Sequence, residues 1–234
     1  MGVITALGTD PESRLVRRAL ERFGLETCLV EREGATSIQY IDQQPSGEKI
    51  FVRYEQGVLG DYRVGPRERE VIASSDVLMA VVYAQIEGFF HSVMESPSPG
   101  LRAVDFGDLS GVTGGVAIVE RYLERFHVGF FGLNSTDVDL IGHLERLARS
   151  RGRLLVVTLG SDGSVALGGE ERIACPALPV PEVIDTTGAG DAFAAGFLRE
   201  YYDSGRVAES LAAGARNAAL TVQRLGAFPW EDGG

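Results

Sequence analysis

The run Asp185-Thr186-Thr187-Gly188-Ala189-Gly190-Asp191, followed by the apolar stretch Ala192 to Leu198, gathers the residue types that phosphoryl transfer needs. Gly188 and Gly190 permit a tight turn that points several backbone N–H groups the same way, with a special backbone conformation and close phosphate approach expected at Gly190. The apolar stretch reads as a helix, so those amides sit at a helix N-terminus, where unpaired donors and the positive end of the helix dipole bind phosphate. Asp191 then stands at the mouth of an anion site. A carboxylate there acts as a base, taking a proton from a hydroxyl while the amides hold the phosphoryl group. The plainer alternative is that Asp191 caps the helix.

Taken whole, D-T-T-G-A-G-D with A-x-x-A-G-F-L resembles the C-terminal motif of the ribokinase (PfkB) family of carbohydrate kinases. The resemblance implies that Asp191 is the catalytic base, also touching substrate, and that Gly188, Ala189 and Gly190 supply the anion hole. Val157-Thr158-Leu159-Gly160-Ser161-Asp162-Gly163 resembles the family's nucleotide-binding turn, which gives Thr158, Gly160, Asp162 and Gly163 as cofactor contacts; alone it is an ordinary β-turn. Leu133-Asn134-Ser135-Thr136-Asp137 resembles the family's Asn-x-x-Glu motif, which organises Mg²⁺ and phosphate. Asn134 is then a cofactor residue, and Asp137, with its shorter arm, a metal residue acting through water. Its competing reading is Asn or Ser capping the next helix. Ala212 to Ala219 resembles the helix lining the adenine pocket, with Gly214 and Asn217 as contacts, although small residues equally serve helix packing. Arg224-Leu225-Gly226-Ala227 resembles the closing Gly-Ala turn. In some relatives that turn holds a monovalent cation (K⁺), to which Asp185 and Thr187 would contribute.

Within the family, Thr36–Val64 looks most like fructoselysine 6-kinase and related fructosamine kinases, as does the ending Gly226-Ala227-Phe228-Pro229-Trp230. The resemblance places Arg53, Tyr54 and Glu55 near a sugar or its amino-acid appendage. One departure stands out. Family members begin with a strand carrying a substrate-binding Asp and then a Gly-Gly-x-x-x-Asn turn, and neither occurs here. Gly8-Thr9-Asp10 instead resembles the family's later Gly-Asp-Asp turn. The expectation is a chain without the first strand–helix unit, from a late-assigned start or a shortened relative, that binds nucleotide better than sugar.

Composition narrows the alternatives. A chain of 234 residues, 44% hydrophobic, buries a sizeable core as one α/β domain. A net charge of −11 argues against nucleic acid or an anionic membrane as partner. No apolar run reaches the ~20 residues of a membrane span, and no secretory signal is visible at Met1-Gly2-Val3-Ile4. Cys28 and Cys175 read as small buried apolar residues suited to a reducing cytoplasm. His91, His127 and His143 have no metal-ligand spacing. The single lysine, Lys49 in Ser46-Gly47-Glu48-Lys49, forms no Walker A loop, so nucleotide chemistry must rest on backbone amides, metal and arginine.

The elements that position these residues alternate. Strands are expected at Val3–Leu7, Val77–Val82, Arg102–Phe106, Val128–Leu133, Arg153–Leu159 and Ser164–Leu167. Helices are expected at Pro11–Phe23 (apolar face Leu15, Ala19, Leu20, Phe23), Leu140–Arg149 (face Leu140, Leu144, Leu147) and Val207–Val222. This order implies a doubly wound, mostly parallel sheet in a single ribokinase-like domain over 1–234. Residues 35–63 break the pattern with two extended runs around a turn, a small β lid or an edge hairpin. An unpartnered hairpin exposing Ile38, Tyr40, Phe51 and Tyr54 predicts a homodimer. The chemistry expected is ATP- and Mg²⁺-dependent phosphorylation of a sugar or fructosamine hydroxyl. The alternatives are a kinase of a nucleoside or vitamin alcohol on the same fold, and a nucleotide- or sugar-binding relative without turnover.

Overall fold

Short strings of Val, Leu, Ile and Phe form the strands, and those apolar on both faces run through the interior, as parallel sheets require. The computed structural model describes residues 2–43, 49–109 and 115–227. The expected turn around Ser46-Gly47-Glu48 and the closing Phe228-Pro229-Trp230 lie outside them. The chain divides into two compact units, residues 1–100 and 101–234.

In the first unit, β1 (Gly2–Leu7) and β2 (Glu26–Glu31) pair in parallel across helix α1 (Pro11–Arg22). Asp10 starts that helix. Its Oδ1 accepts from the Ser13 amide at 3.1 Å and the Thr36 hydroxyl at 2.6 Å, and its Oδ2 accepts from the Thr36 amide at 2.6 Å. The Gly8-Thr9-Asp10 turn is thus a capping and loop-fastening device. The apolar face expected for α1 is corrected: Val16, Ala19 and Leu20 are half-buried, whereas Leu15 is 55% and Phe23 39% exposed. The i, i+4 spacing is real, but the buried stripe runs one residue round from Leu15.

Strands β3 (Ile38–Gln43) and β4 (Lys49–Glu55) form the expected antiparallel hairpin, with a register shift at Tyr40/Ile41. Its exposed apolar residues are Tyr40, Ile41 and Val52. Tyr54 is half-buried, stacked on Tyr83 with ring centroids 5.6 Å apart and packed on a core of Ala6, Val58, Leu59, Tyr62 and Ile86. Ile38 is half-buried too, which corrects both as exposed residues; the Phe51 side chain lies outside the description. Helix α2 (Pro66–Ala73), strand β5 (Val77–Val81) and helix α3 (Glu87–Met94) complete the unit around Val64, Ile72, Leu78 and Val93.

The second unit carries β6 (Leu101–Asp105), α4 (Gly115–Tyr122), β7 (Val128–Gly132), α5 (Val138–Arg151), β8 (Leu154–Thr158), β9 (Ser164–Gly168), β10 (Glu171–Cys175), α6 (Ala189–Ser204) and α7 (Val207–Thr221). Its strands lie in the order β10-β9-β8-β7-β6. Strands β6, β7 and β8 are parallel; β9 and β10 return antiparallel. The buried face of α5 is Ile141, Leu144 and Ala148, one step round from the expected Leu140, Leu144, Leu147; Leu140 and Leu147 flank it half-buried. Phe130 on β7 meets Phe197 on α6 edge to face at 5.5 Å, while its neighbour Phe131, on the other face of the sheet, stacks on Phe106 at 5.1 Å. Gly196 and Gly214 bring α6 and α7 together. A Cβ on Gly196 would come within 2.7 Å of the Ala213 carbonyl, and one on Gly214 within 2.9 Å of the Phe193 carbonyl.

Candidate active site

Three parallel strands ending at one edge of a sheet gather their loops at that edge, the usual place for a ligand in an α/β unit. Here the loops follow Asp105, Gly132 and Thr158, and the N-terminus of α6 supplies the fourth part.

Gly188 is the residue before α6, at φ +78, a left-handed conformation that only glycine adopts without strain. The expected special position is therefore Gly188 and not Gly190. Gly190 lies within the helix without a positive φ, and a Cβ there would meet nothing within 4 Å. The amides also sort differently from expectation. Ala189 N–H donates to the Thr186 carbonyl at 3.2 Å, so it is already spent. The amides of Gly188, Gly190 and Asp191 have no acceptor among the described residues, and they are the donors an anion would find.

Asp191 does not cap the helix. Its carboxylate accepts no hydrogen bond among the described residues. The residue is open to solvent, yet the protein around its carboxyl group withdraws enough water to raise its proton affinity above that of an ordinary Asp. A second acid shares this place, and the sequence reading missed it. Asp105 ends β6, with Oδ1 accepting from the Gly107 amide at 2.8 Å. Burial pushes its pKa up to about 6; the Gly107 amide pulls the other way, and the nearby Asp191 charge adds a smaller upward push. A polar residue closing an apolar strand in Leu101-Arg102-Ala103-Val104-Asp105 was the available signal.

Asp185 is buried and acts as a clamp. Its Oδ1 accepts from the Thr187 amide at 2.7 Å and its Oδ2 from the Gly226 amide at 2.9 Å. This brings the Gly226-Ala227 turn against the α6 entrance, where a Cβ on Gly188 would lie 2.8 Å from that of Ala227.

The two remaining loops touch each other. The Ser135 hydroxyl donates to Asp162 Oδ2 at 2.5 Å, and the Leu133 amide to the Thr158 carbonyl at 3.0 Å. Asp137, rather than Asn134 or Ser135, stands at the N-cap position of α5, but its side chain accepts no amide of that helix; its Oδ2 accepts from the Asn134 amide at 2.8 Å. The Thr158 hydroxyl donates to the Phe131 carbonyl at 3.2 Å. Gly160 (φ +58) and Gly163 (φ +91) make the following turn, and a Cβ on Gly163 would lie 2.3 Å from the Cys175 carbonyl. Gly160 faces open space; Gly163 is held by packing. Gly214 is buried against Phe193, a packing role, while Asn217 is exposed beside Gly196 on the neighbouring helix. Arg53 and Tyr54 belong to the first unit, where Arg53 pairs with Glu55 at 2.9 Å and lies 4.3 Å over the Tyr40 ring. Of the cysteines, Cys28 is buried as expected and Cys175 only half-buried; both are free. Among the described residues no group of three or more His, Cys, Asp and Glu converges, and no helix is long and apolar enough to cross a membrane.

Residues 128–231 match the family described as pfkB family carbohydrate kinase. The chain is 26% identical to the fructoselysine 6-kinase of Escherichia coli K12, over 97% of this chain and 84% of that protein. It is 29% identical to the fructosamine kinase FrlD of Bacillus subtilis, over 86% of this chain and 71% of that one. Among solved structures, ribokinase from Thermotoga maritima superposes with a TM-score of 0.74 at 20% identity, covering 97% of this chain and 76% of that one. With the mostly parallel sheet and the glycine-started helix α6 at its edge, these likenesses show a ribokinase-like fold, in which residues 128–231 resemble the pfkB family of carbohydrate kinases.

Proposed function

We propose that this protein transfers the γ-phosphoryl group of ATP to a hydroxyl of a sugar or fructosamine, with Asp191 as the base. The observation that carries the reading is the start of α6: three unspent amides, at Gly188, Gly190 and Asp191, beside a carboxylate with no hydrogen bond of its own. The amides stabilise charge on the phosphoryl group in flight. The Asp191 carboxylate takes the proton as the acceptor oxygen attacks. Its raised proton affinity brings the base nearer to the pH at which it works.

Gly160 and the Asn134–Asp137 loop face the nucleotide in this reading, and Asp162 positions that loop through Ser135. Asp137 keeps one carboxylate oxygen without a hydrogen bond among the described residues, which fits a residue that holds Mg²⁺ directly or through water. The ion, when bound, neutralises phosphate charge. Asp185 fits a K⁺ site poorly, since each of its oxygens already takes an amide. We read the two units as one kinase domain of a cytoplasmic protein, with the hairpin as a lid. Arg53 and Tyr54 serve the acceptor, and the exposed Tyr40, Ile41 and Val52 pair with a second copy; light scattering reporting a monomer at micromolar concentration rejects that dimer.

Favouring a fructosamine acceptor are the likenesses to the fructoselysine 6-kinase and FrlD, which span both units. The test is transfer of labelled phosphate from ATP across a panel of fructoselysine, ribose, 2-dehydro-3-deoxygluconate and adenosine. Phosphorylation of fructoselysine well above the others supports the reading. A nucleoside as the preferred acceptor overturns the substrate class, and ATP binding without transfer to any of them leaves the non-catalytic reading.

A further inference from the structure

The loops that follow β7 and β8 are each closed on themselves before they meet. After β7, the Asp137 amide donates to the Asn134 carbonyl at 3.0 Å, and Asp137 Oδ2 accepts from the Asn134 amide at 2.8 Å. The Asp137 carbonyl accepts from the Ile141 amide at 2.9 Å, which fastens this turn to α5. After β8, the Asp162 amide donates to the Leu159 carbonyl at 3.1 Å, and the Leu159 amide to the Gly163 carbonyl at 2.8 Å. Two bonds then join one turn to the other. At the base the Leu133 amide donates to the Thr158 carbonyl at 3.0 Å; at the tip the Ser135 hydroxyl donates to Asp162 Oδ2 at 2.5 Å. Tied at base and tip, neither turn tilts without the other. Ser135 is two residues from Asp137, and Asp162 two residues from Gly160, where nothing lies within 4 Å of a Cβ.

We propose that the Ser135–Asp162 hydrogen bond is a latch that makes nucleotide and Mg²⁺ binding at this edge cooperative, with Asp162 a positioning residue and not a nucleotide contact. An ion on Asp137 fixes the first turn, and phosphates over Gly160 fix the second. With the tips latched, whichever ligand binds first has already ordered the turn that the other needs, so the second loses less conformational entropy. The coupling is reciprocal, as linkage requires. A hydroxyl donated to a carboxylate is a charge-assisted bond, stronger than a neutral one. Both residues are exposed to water, which limits the expected coupling to about three- to tenfold.

This inference rests on Asp137 holding the ion and on the nucleotide lying at Gly160, and the experiment separates those readings from the latch. Calorimetry measures the Kd of ATP, without acceptor, in excess EDTA and in excess Mg²⁺; the ratio of the two is the coupling. Chelation of Mg²⁺ by ATP itself enters equally for every variant, so differences in the ratio belong to the protein. Ser135→Ala and Asp162→Ala are each expected to lower the ratio by about three- to tenfold. The double variant should lower it no further, as the two ends of one interaction require. With both residues exposed, the thermal midpoints should stay near that of the parent. A parental ratio in Ser135→Ala overturns the latch. So does an Asp162→Ala variant that weakens both forms of ATP alike, the mark of a direct nucleotide contact. A parental ratio in Asp137→Asn overturns the metal reading on which the latch rests. A lowered ratio there, with parental ratios in both latch variants, overturns the latch alone.

Discussion

The Asp185 carboxylate holds the amide of Gly226, forty-one residues further along the chain, at 2.9 Å, while its other oxygen holds the amide of Thr187 at 2.7 Å. One buried acid thus fixes both walls of the α6 entrance, the turn that leads into the helix and the turn that closes over it. The amides that would meet phosphate inherit their geometry from this clamp.

Asp185→Ala leaves two amides without their acceptor in a buried place. The expected loss is roughly 2–4 kcal/mol of stability, read as a lower thermal midpoint, with weaker ATP binding by calorimetry. An Ala variant as stable as the parent would mean that the clamp is incidental.

Gly188→Ala puts a side chain on a left-handed backbone and within 2.8 Å of the Ala227 methyl. It should cost about 1–3 kcal/mol. The double variant with Ala227→Gly should recover the contact part and keep the backbone part. Gly190→Ala, with nothing within 4 Å of its Cβ, should fold normally and show its effect only in nucleotide affinity. Equal stability of Gly188→Ala and Gly190→Ala would contradict this assignment.

How much of this was legible beforehand follows from what kind of signal each residue leaves. The α6 entrance was readable because glycine, small residues and one acid must occur in a fixed order to make it. The strands β7 and β8 were readable because burial on both faces leaves an unbroken apolar run. The raised proton affinity of Asp105 was not readable, since it depends on a burial that only the assembled fold supplies. Gly188 and Gly190 look alike in sequence; only the backbone angle and the approach of Ala227 tell them apart. Helix α1 shows the converse, with Leu15 and Phe23 correctly spaced for a face that packing does not use.

Burying the Asp105 carboxylate should destabilise the folded protein at a pH above its raised pKa. Its folded pKa, about 6, lies above the ordinary 3.8, so the folded state binds the proton more tightly than the unfolded one. Its favourable contribution is complete below pH 4 and is lost as pH rises through 6. Asp105→Asn is therefore expected to be more stable than the parent at pH 8, by up to about 3 kcal/mol. The difference should shrink toward zero below pH 4. Denaturant melts at pH 4 and pH 8 measure this; a gap that does not depend on pH would place the cause elsewhere.

The central claim is that Asp191 is a base beside an anion site built of amides. The most direct measurement pairs ATP titration with single-turnover phosphate transfer in Asp191→Asn. The side chain keeps its size and the amides stay where they are, so ATP affinity should remain within a few-fold of the parent. Transfer should fall by ~10²–10⁴. Transfer at the parental rate would contradict the account, whatever the ATP affinity.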